Sequence, residues 1–576
     1  MHRTNALPHT FWFCVSFVLV VAFALGFASV AQESQTQDEA VHISSGYSYW
    51  KTGDFRLNVE HPPLSKLLAT LLLLWLKPDF SPSPEAWQHS DEFAIGREFL
   101  YRNHVRADTL LLAARGVTIV LSGLLGVTIA VWVARRAGPT AGVVSFLLFA
   151  LEPTVLAHSR YVTSDLAVTL FIWLSCISWY SYLERPSSWG LIRTGLLTGM
   201  ALATKFNAVI LYLVFGVTLF GYRRLAVKPP VMKTAKTIAA LAFVSFLFVF
   251  GTYRFDTRAI AQDPALTSRL ERVYPKEDSM RSRMVQTALH TPVPAYYFFR
   301  GLHLLFRLNQ SGHLTYLMGS AGVHGSWKYF PVAMLVKSAV TWLVLLVIST
   351  FAAARATAQR VFNPNDKWLL AGLALPVLLY FGTCLVSSIN IGIRHLLPIY
   401  PFLCAFMGIV LFGRERNRKA RVISWALVFV FVLESSSAYP DYLSFFNVAA
   451  GGAANGHRYL LDSNLDWGQD LKRLKFWTET HNSQPLCLSY FGTADPAYYG
   501  IQYRPLPAAR DATGLVGLDC VVAISAEHLF GLKDAPFAAL RSLAWSERAG
   551  DSIYIYDLRQ NRLGSESPAS SSWPKN

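Results

Sequence analysis

The chain has 576 residues, of which 53% are hydrophobic, 14% aromatic and only 15% charged. This is too few charged side chains to solvate a soluble protein of this length, so the composition indicates a membrane protein. The net charge of +16 does not indicate nucleic-acid binding, because the basic residues lie mostly in loops between apolar segments, as in membrane proteins generally. We therefore predict a lipid bilayer as a partner and no nucleic acid.

Apolar runs long enough to cross a bilayer recur along the chain, and they predict a mainly α, polytopic membrane protein with about eleven spanning helices. The first run is longer than the roughly 7–15-residue core of a signal peptide, which favours an uncleaved anchor over a cleaved signal. The predicted spans are 11–31, 110–134, 139–158, 165–183, 190–204, 206–221, 237–252, 331–353, 368–387, 395–412 and 421–438.

The basic loops predict the orientation of these spans, since cytoplasmic loops are enriched in Lys and Arg. The clusters all face the cytoplasm if the N-terminus does; they follow the second span at Arg135 and Arg136 and recur at 185–193, 223–236, 355–367 and 414–421. We predict a multi-pass protein of the inner (cytoplasmic) membrane with its C-terminus in the periplasm or outside. The predicted external segments are a first loop (32–109), a long loop (253–330), the turn 388–395 and the tail from about 439.

The first external loop carries the stretch that most resembles a reaction site, DEAVHISSGYSYWKTGDFRLNVEHPPLSK (38–66). It opens on two acids, Asp38 and Glu39. A carboxylate beside a low-dielectric region can have its pKa raised toward the range useful for a general base. The alternative is a solvated acidic linker after a helix. The stretch closes on a rigid His61-Pro62-Pro63 turn and Lys66, before an apolar run (64–76) that predicts an interfacial or re-entrant helix.

Further polar residues fall at predicted helix ends on the same external side. Arg160 and Asp165 lie at the ends of adjacent spans, Lys205 interrupts an apolar stretch, and Arg394 precedes the tenth span. Lys205 and Arg394 suit an anionic lipid phosphate at that depth. The alternative for each residue alone is an ordinary interface anchor or turn residue.

The tail predicts a small soluble α/β domain over 439–576, separate from the membrane domain over 1–438. Ser463 is predicted to cap a helix through DWGQDLKRLKFW, and the acids of 462–470 are otherwise explained as its first turn. CLSYF, CVVAIS and SIYIYDL predict short buried strands. Cys487 and Cys520 lie in two of these strands, and whether they form a disulfide is left open. The last dozen residues are predicted to be disordered.

Taken together, these motifs resemble the protein O-mannosyltransferase family and its bacterial relatives, the aminoarabinose transferases, which are membrane glycosyltransferases of the GT-C type. The resemblance covers residues 32–221 well and the later helices loosely. The matching motifs are Asp38-Glu39, His61-Pro62-Pro63-Leu64-x-Lys66, Ser159-Arg160-Tyr161 leading to Asp165, and Gly195-x-x-x-Gly199 leading to Lys205.

The resemblance implies an inverting glycosyltransferase whose donor is a sugar on a polyprenyl phosphate and whose acceptor is a hydroxyl on a protein, lipid or glycan. Asp38 would be the catalytic base, with Glu39 positioning it or the acceptor. Asp165 would orient the acceptor or Arg160, and the His61-Pro62-Pro63 turn and Lys66 would hold the loop. The predicted ligands of the donor phosphate are Lys205, Arg160 and Arg394.

We predict no cofactor and no catalytic metal, because a donor with one phosphate does not require a bridging cation. The long loop contains several histidines, so whether it binds a structural ion is left open. That loop is also too short for the β-trefoil domain that the eukaryotic members carry there. The missing domain weakens the case that the acceptor is a protein. The competing interpretations are an oligosaccharyltransferase, which would use a pyrophosphate-linked glycan and a divalent metal, and a transporter, which would show internal repeats that are not seen.

Overall fold

The computed structural model describes residues 6–225, 231–263, 280–361, 364–413, 418–481, 483–515, 518–531 and 536–559. Parts of three predicted basic loops, the middle of the long loop and the predicted disordered tail lie outside the described residues.

Helices form most of the described structure, and the polar loops between them carry short helices of their own. The helices up to the middle of the chain are α1 (His9–Val30), α2 (Glu39–Thr52), α3 (Leu64–Ala69), α4 (Leu73–Leu76), α5 (Pro84–His89), α6 (Glu92–Tyr101), α7 (Ala107–Ala137), α8 (Pro139–Ala150), α9 (Pro153–His158), α10 (Asp165–Glu184), α11 (Ser188–Leu202), α12 (Ile210–Leu225) and α13 (Val231–Thr252). The later helices are α14 (Met280–His290), α15 (Tyr296–Ser311), α16 (Tyr329–Lys337), α17 (Val340–Ala358), α18 (Pro364–Leu385), α19 (Tyr400–Phe412), α20 (Arg418–Ser437), α21 (Leu471–Thr480) and α22 (Ala538–Arg541).

Within the described ranges, eight helices are long and apolar enough to cross a membrane, and each overlaps a predicted span. A mainly helical, multi-pass membrane protein is thereby confirmed. The predicted span 331–353 is divided, because α16 ends at Lys337 and α17 begins at Val340. The three remaining predicted spans, 139–158, 190–204 and 206–221, correspond to shorter helices. In the first of them α8 ends at Ala150 and α9 begins at Pro153, since proline disfavours a helical conformation in the residue before it.

The Gly195-x-x-x-Gly199 motif lies where α11 packs closely against α13. A Cβ atom added at Gly199 would lie 2.7 Å from the Cβ of Phe248 and 2.8 Å from the carbonyl oxygen of Ser245. Small residues at this spacing let two helix backbones approach, as is common between membrane helices. The contact fixes the end of α11, from which Lys205 follows.

The apolar run 64–76 forms two short helices, α3 and α4, instead of the single helix predicted there. Leu71, Leu72 and Leu74 are exposed, and 88% of the Trp75 surface is exposed. Side chains of this kind suit an interfacial segment, where an aromatic ring lies at the level of the lipid headgroups.

The C-terminal part contains a five-stranded sheet, which confirms a small α/β domain after the last span. Two small antiparallel strand pairs in the long loop are β1 (Thr257–Ala259) with β2 (Pro292–Pro294) and β3 (Thr315–Leu317) with β4 (Ser320–Gly322). The strands of the C-terminal sheet are β5 (Leu486–Ser489), β6 (Arg504–Pro505), β7 (Val521–Ser525), β8 (Glu547–Ala549) and β9 (Ile553–Asp557). Their order is β6-β5-β7-β9-β8; β5 pairs in parallel with β6 and β7, and β9 pairs antiparallel with β7 and β8.

All three strands predicted in the tail are present, as β5, β7 and β9. Cys487 in β5 and Cys520 beside β7 form a disulfide, with their Cα atoms 5.9 Å apart. The parallel pairing of β5 with β7 brings the two cysteines to neighbouring positions. The predicted domain border at 438/439 stays a prediction.

The helix predicted from Ser463 begins instead at Leu471, as α21. Ser463 does not cap that helix, because its hydroxyl donates to the carbonyl of Ile391 at 2.8 Å. One carboxylate oxygen of Asp466 accepts a hydrogen bond from the backbone N–H of Glu527 at 3.1 Å. Gly468 has a φ of +84°, in the left-handed region that glycine favours. Tertiary hydrogen bonds therefore hold this segment in an irregular conformation that local sequence signals do not predict.

Candidate active site

Four predicted site residues form one continuous chain of charges. Arg394 lies between two carboxylates, its Nη1 atom 3.3 Å from Oδ2 of Asp38 and 3.5 Å from Oδ2 of Asp165. The other oxygen of Asp165 contacts Nζ of Lys205. The order Asp38–Arg394–Asp165–Lys205 therefore places one carboxylate at the end of a group with two cations.

Each of these residues lies where a helix begins or ends, at the same end of the helical bundle. Asp38 precedes α2, Asp165 is the first residue of α10, and Lys205 follows α11. Arg394 lies in a 3₁₀ helix, Ile393–Ile399, that leads into α19. Because helix ends carry irregular backbone, these positions allow polar side chains to converge beside apolar helices.

The surroundings of Asp38 suit a proton acceptor. About 28% of its side-chain surface is exposed, so a substrate can reach it, whereas Asp165 and Arg394 are buried. Burial raises the pKa of Asp38 above its ordinary value, and the positive charge of Arg394 only partly offsets this. A carboxylate that is more basic than usual is a better general base near neutral pH.

Glu39 does not face this group of charges but is buried in an ion pair. Its two oxygens accept from Nε of Arg115 at 2.8 Å and from Nη2 at 2.5 Å, and they also accept from the backbone N–H groups of Thr36 and Val162. Burial acts to raise the pKa of Glu39, but the charge and hydrogen bonds of Arg115 outweigh it and the pKa is lowered. This arrangement positions the chain next to Asp38 and does not make Glu39 a proton acceptor.

Arg160 also lies apart from Lys205 and Arg394. Its guanidinium is fully buried and lies 2.9 Å from Oε1 of Glu33, over the rings of Tyr161 and Tyr442. The structure therefore gives Arg160 a partner within the protein instead of a place beside the other predicted phosphate ligands. Two buried ion pairs, Glu33 with Arg160 and Glu39 with Arg115, hold the segment that leads to Asp38.

The predicted loop-holding residues occupy positions that fit that role. Nζ of the buried Lys66 donates to Oη of Tyr49 at 2.9 Å, to both the carbonyl and side-chain oxygens of Asn58, and to the carbonyl of His61 at 2.8 Å. The backbone N–H of Leu64 donates to the carbonyl of Ala203 at 2.9 Å. The turn through Pro62 and Pro63, both buried, is thus fixed next to the end of α11 and Lys205.

Sequence reasoning missed His42, whose ring stacks on that of His61 at 5.3 Å. His42 lies four residues after Asp38, on the same face of α2, and this spacing was an available signal. Burial, and then the charge of Lys66, lower the pKa of His42 to about 3, so its ring is neutral at physiological pH. Glu33 and Arg115 were also missed, because each follows or lies within an apolar segment and no local motif marks it.

Among the described residues, no three His, Cys, Asp or Glu side chains lie close enough together to hold a metal ion.

Part of the chain matches a known family model. Residues 107–249 match the model described as dolichyl-phosphate-mannose-protein mannosyltransferase. The match includes Asp165 and Lys205 and confirms, over these residues, the resemblance to the protein O-mannosyltransferase family. No curated protein sequence matches the chain significantly.

Three solved structures are similar to the chain at low identity. ArnT from Cupriavidus metallidurans bound to undecaprenyl phosphate is 13% identical, with 97% of this chain and 100% of that chain covered and a TM-score of 0.44. The S. cerevisiae protein O-mannosyltransferase Pmt1-Pmt2 complex bound to the sugar donor is 12% identical, with 76% and 90% covered and a TM-score of 0.49. The archaeal oligosaccharyltransferase AglB from Archaeoglobus fulgidus, in complex with an inhibitory peptide and a dolichol-phosphate, is 11% identical, with 91% and 72% covered and a TM-score of 0.45.

Proposed function

We propose that the protein is a membrane glycosyltransferase that moves a sugar from a polyprenyl phosphate to an acceptor hydroxyl, with inversion at the anomeric carbon. The observation that carries the proposal is the contact between Asp38 and Arg394, which joins an accessible carboxylate to a buried guanidinium that Asp165 links to Lys205. The family model adds support, because its description names a lipid-phosphate-linked mannose as donor. The proposed place of reaction is the outer face of the cytoplasmic membrane.

In the proposed reaction, an oxygen of Asp38 takes the proton of the acceptor hydroxyl while the hydroxyl oxygen bonds to the anomeric carbon. The bond between that carbon and the phosphate oxygen breaks, and its electron pair leaves with the polyprenyl phosphate. Lys205 and Arg394 stabilise the charge that develops on the phosphate, which is the electrostatic part of catalysis. Asp165 holds the two cations together until the phosphate binds between or beside them.

The proposal is tested with membranes that contain the protein and radiolabelled polyprenyl-phosphate sugars, with the labelled product identified. Transfer of label that depends on the protein supports the proposal. A parallel assay uses a pyrophosphate-linked glycan with and without a chelator. Transfer only from the pyrophosphate donor, with loss in chelator, would instead establish an oligosaccharyltransferase. If the protein is intact in the membrane and transfers sugar from neither donor, both the proposed glycosyltransferase and the oligosaccharyltransferase are contradicted.

Lys205→Ala is expected to weaken the use of the donor, because a charged hydrogen bond to phosphate contributes about 1.5–3 kcal/mol. KM for the donor should rise about 10- to 100-fold, and Lys205→Arg should retain part of the affinity. Lys77→Ala is the matched control, since Lys77 is an exposed lysine of the same external region. An unchanged donor KM in Lys205→Ala would rule out the phosphate role of this lysine.

The pH dependence of transfer is expected to show an acid limb set by Asp38. A base must be ionised to accept a proton, so the rate falls as the pH falls through the pKa of Asp38, which burial raises above its ordinary 3.8. Removing the neighbouring cation, as in Arg394→Ala, should shift this limb to higher pH at saturating donor, because Arg394 lowers the pKa. A limb that moves to lower pH, or an unchanged limb, would contradict the assignment.

A further inference from the structure

The segment that enters the C-terminal domain, residues 463–469, contacts both the backbone that leads to Asp38 and the backbone that leads to Arg394. We call this segment the bridge. It lies far from Asp38 and Arg394 in sequence, and the function proposed above assigns it no part. Its backbone and side chains are buried, and its hydrogen bonds explain why a segment of such irregular conformation is ordered.

On one side, the bridge binds the backbone that leads to Arg394. The side-chain oxygen of Asn464 accepts from the N–H of Ile393 at 2.9 Å. Oγ of Ser463 donates to the carbonyl of Ile391 at 2.8 Å. The residues directly before Arg394 are thus held by two hydrogen bonds from the same short segment.

On the other side, the bridge binds the backbone that leads to Asp38. The N–H of Gln37 donates to the carbonyl of Trp467, and the N–H of Ser34 donates to the carbonyl of Gln469, both at 2.9 Å. Oγ of Ser34 donates to the carbonyl of Gly468 at 3.0 Å. Since the bridge contacts the chain on both sides, it fixes the separation of the two residues that follow these contacts.

Trp467 extends this contact to the side chain of Arg394. The guanidinium carbon lies 4.3 Å from the centre of the indole ring, and Trp467 is only 1% exposed. The ring edges of His158 and Tyr161 pack against the indole and hold it in place. Stacking on the aromatic face fixes the plane of the guanidinium and leaves its N–H groups free to bind other atoms.

The ion pairs of Arg394 do not by themselves fix its orientation. Both carboxylate contacts are long, at 3.3 Å and 3.5 Å, and they involve the same atom, Nη1. Within the described part of the chain, Nε of Arg394 has no hydrogen-bond partner. The indole of Trp467 therefore supplies the orienting contact that the two acids lack.

The C-terminal domain in turn anchors the bridge. Asp466 accepts from the N–H of Glu527, next to the end of β7, at 3.1 Å. Asp470, which directly follows the bridge, accepts from the N–H of Ser552 at 3.1 Å and from its hydroxyl at 2.8 Å. The position of the bridge therefore depends on the folded sheet behind it.

We propose that the C-terminal domain completes the reaction centre through this bridge, with Trp467 as the positioning residue for the Arg394 guanidinium. The inference rests on the function proposed above, because it assigns the oriented guanidinium to the phosphate of the donor lipid. The domain is then part of the enzyme's active unit and not a separate module attached to it.

The test measures binding of a fluorescent short-chain polyprenyl phosphate to purified full-length protein. Trp467→Ala should weaken binding about tenfold, which is about 1.4 kcal/mol, and Trp467→Phe should weaken it less. In an Arg394→Ala background the Trp467→Ala change should have no further effect, since the orienting contact no longer exists. Trp477→Ala, a partly exposed tryptophan on α21, is the matched control and should bind as the wild type does.

A second readout does not need the donor. Amide hydrogen exchange in peptides that cover 34–42 and 391–397 should be faster in Trp467→Ala than in the control, at both segments. Unchanged exchange would overturn the role proposed for the bridge. So would a Trp467→Ala change that weakens binding equally in the wild-type and Arg394→Ala backgrounds. Faster exchange together with wild-type binding in the Trp467 and Arg394 variants alike would support the bridge but contradict the proposed donor site.

Discussion

Asp38→Asn is expected to reduce the rate of sugar transfer by about 10²- to 10⁴-fold, the range that a positioned general base contributes. The amide keeps the shape of the carboxylate and one acceptor oxygen, so the fold and the donor site should persist. It cannot take the proton of the acceptor hydroxyl. The loss should therefore appear in kcat, with little change in the KM for the donor.

The measurement compares initial rates of label transfer in membranes with equal amounts of folded protein. Asp79→Asn is the matched control, because Asp79 lies in the same segment between α1 and α7, is largely exposed and in the described structure pairs through its side chain only with His104. Asp38→Glu should recover part of the activity, since it restores a carboxylate at a slightly displaced position. Transfer by Asp38→Asn at the wild-type rate would show that the base is elsewhere.

Arg115→Ala is expected to destabilise the fold by about 3–5 kcal/mol, the effect of leaving a buried charge without its partner. The side chains of Arg115 and Glu39 are 3% and 0% exposed, so water cannot replace the lost contacts. The change also removes hydrogen bonds from Arg115 to the carbonyls of Val30 and Ser34, next to the segment that leads to Asp38. Activity should fall as well, because the position of Asp38 depends on this segment.

Thermal unfolding of the purified protein in detergent checks this prediction. Arg106→Ala is the control, since that side chain is 80% exposed and its contact with Asp108 is 3.8 Å long. The double variant Glu39→Gln, Arg115→Met should recover much of the lost stability, because it leaves neither charge unpaired. A single Arg115→Ala variant as stable as Arg106→Ala would contradict the structural role assigned to the pair.

The double variant also separates the two roles considered for Glu39. If Glu39 only positions the chain, a stable double variant should keep substantial transfer activity. If Glu39 instead positions the acceptor, the other role that the resemblance implied, the stable double variant should be as inactive as Asp38→Asn. The buried pairing with Arg115 favours the first result.

The sequence predicted the parts of this protein that depend on local composition and periodicity. Apolar length alone located the eight helices that can cross a membrane, because each crossing needs about 20 apolar residues whatever surrounds it. Short runs rich in apolar and aromatic residues likewise located the strands β5, β7 and β9. Charge, turn residues and the family motifs identified Asp38, Asp165, Lys205 and Arg394, which the structure brings together.

Only the tertiary structure decided how those residues are paired. Arg160 and Lys205 look alike in sequence, as single cations at predicted helix ends, but Arg160 is paired with Glu33 and Lys205 with Asp165. Pairing depends on which helix ends meet across the bundle, and no local pattern records that. The same holds for residues 463–469, predicted as a helix start, where hydrogen bonds to segments up to about 430 residues away outweigh the local preference for a helix. A short segment has little intrinsic helix stability, so distant contacts determine its conformation, and with it the placement of Trp467 against Arg394.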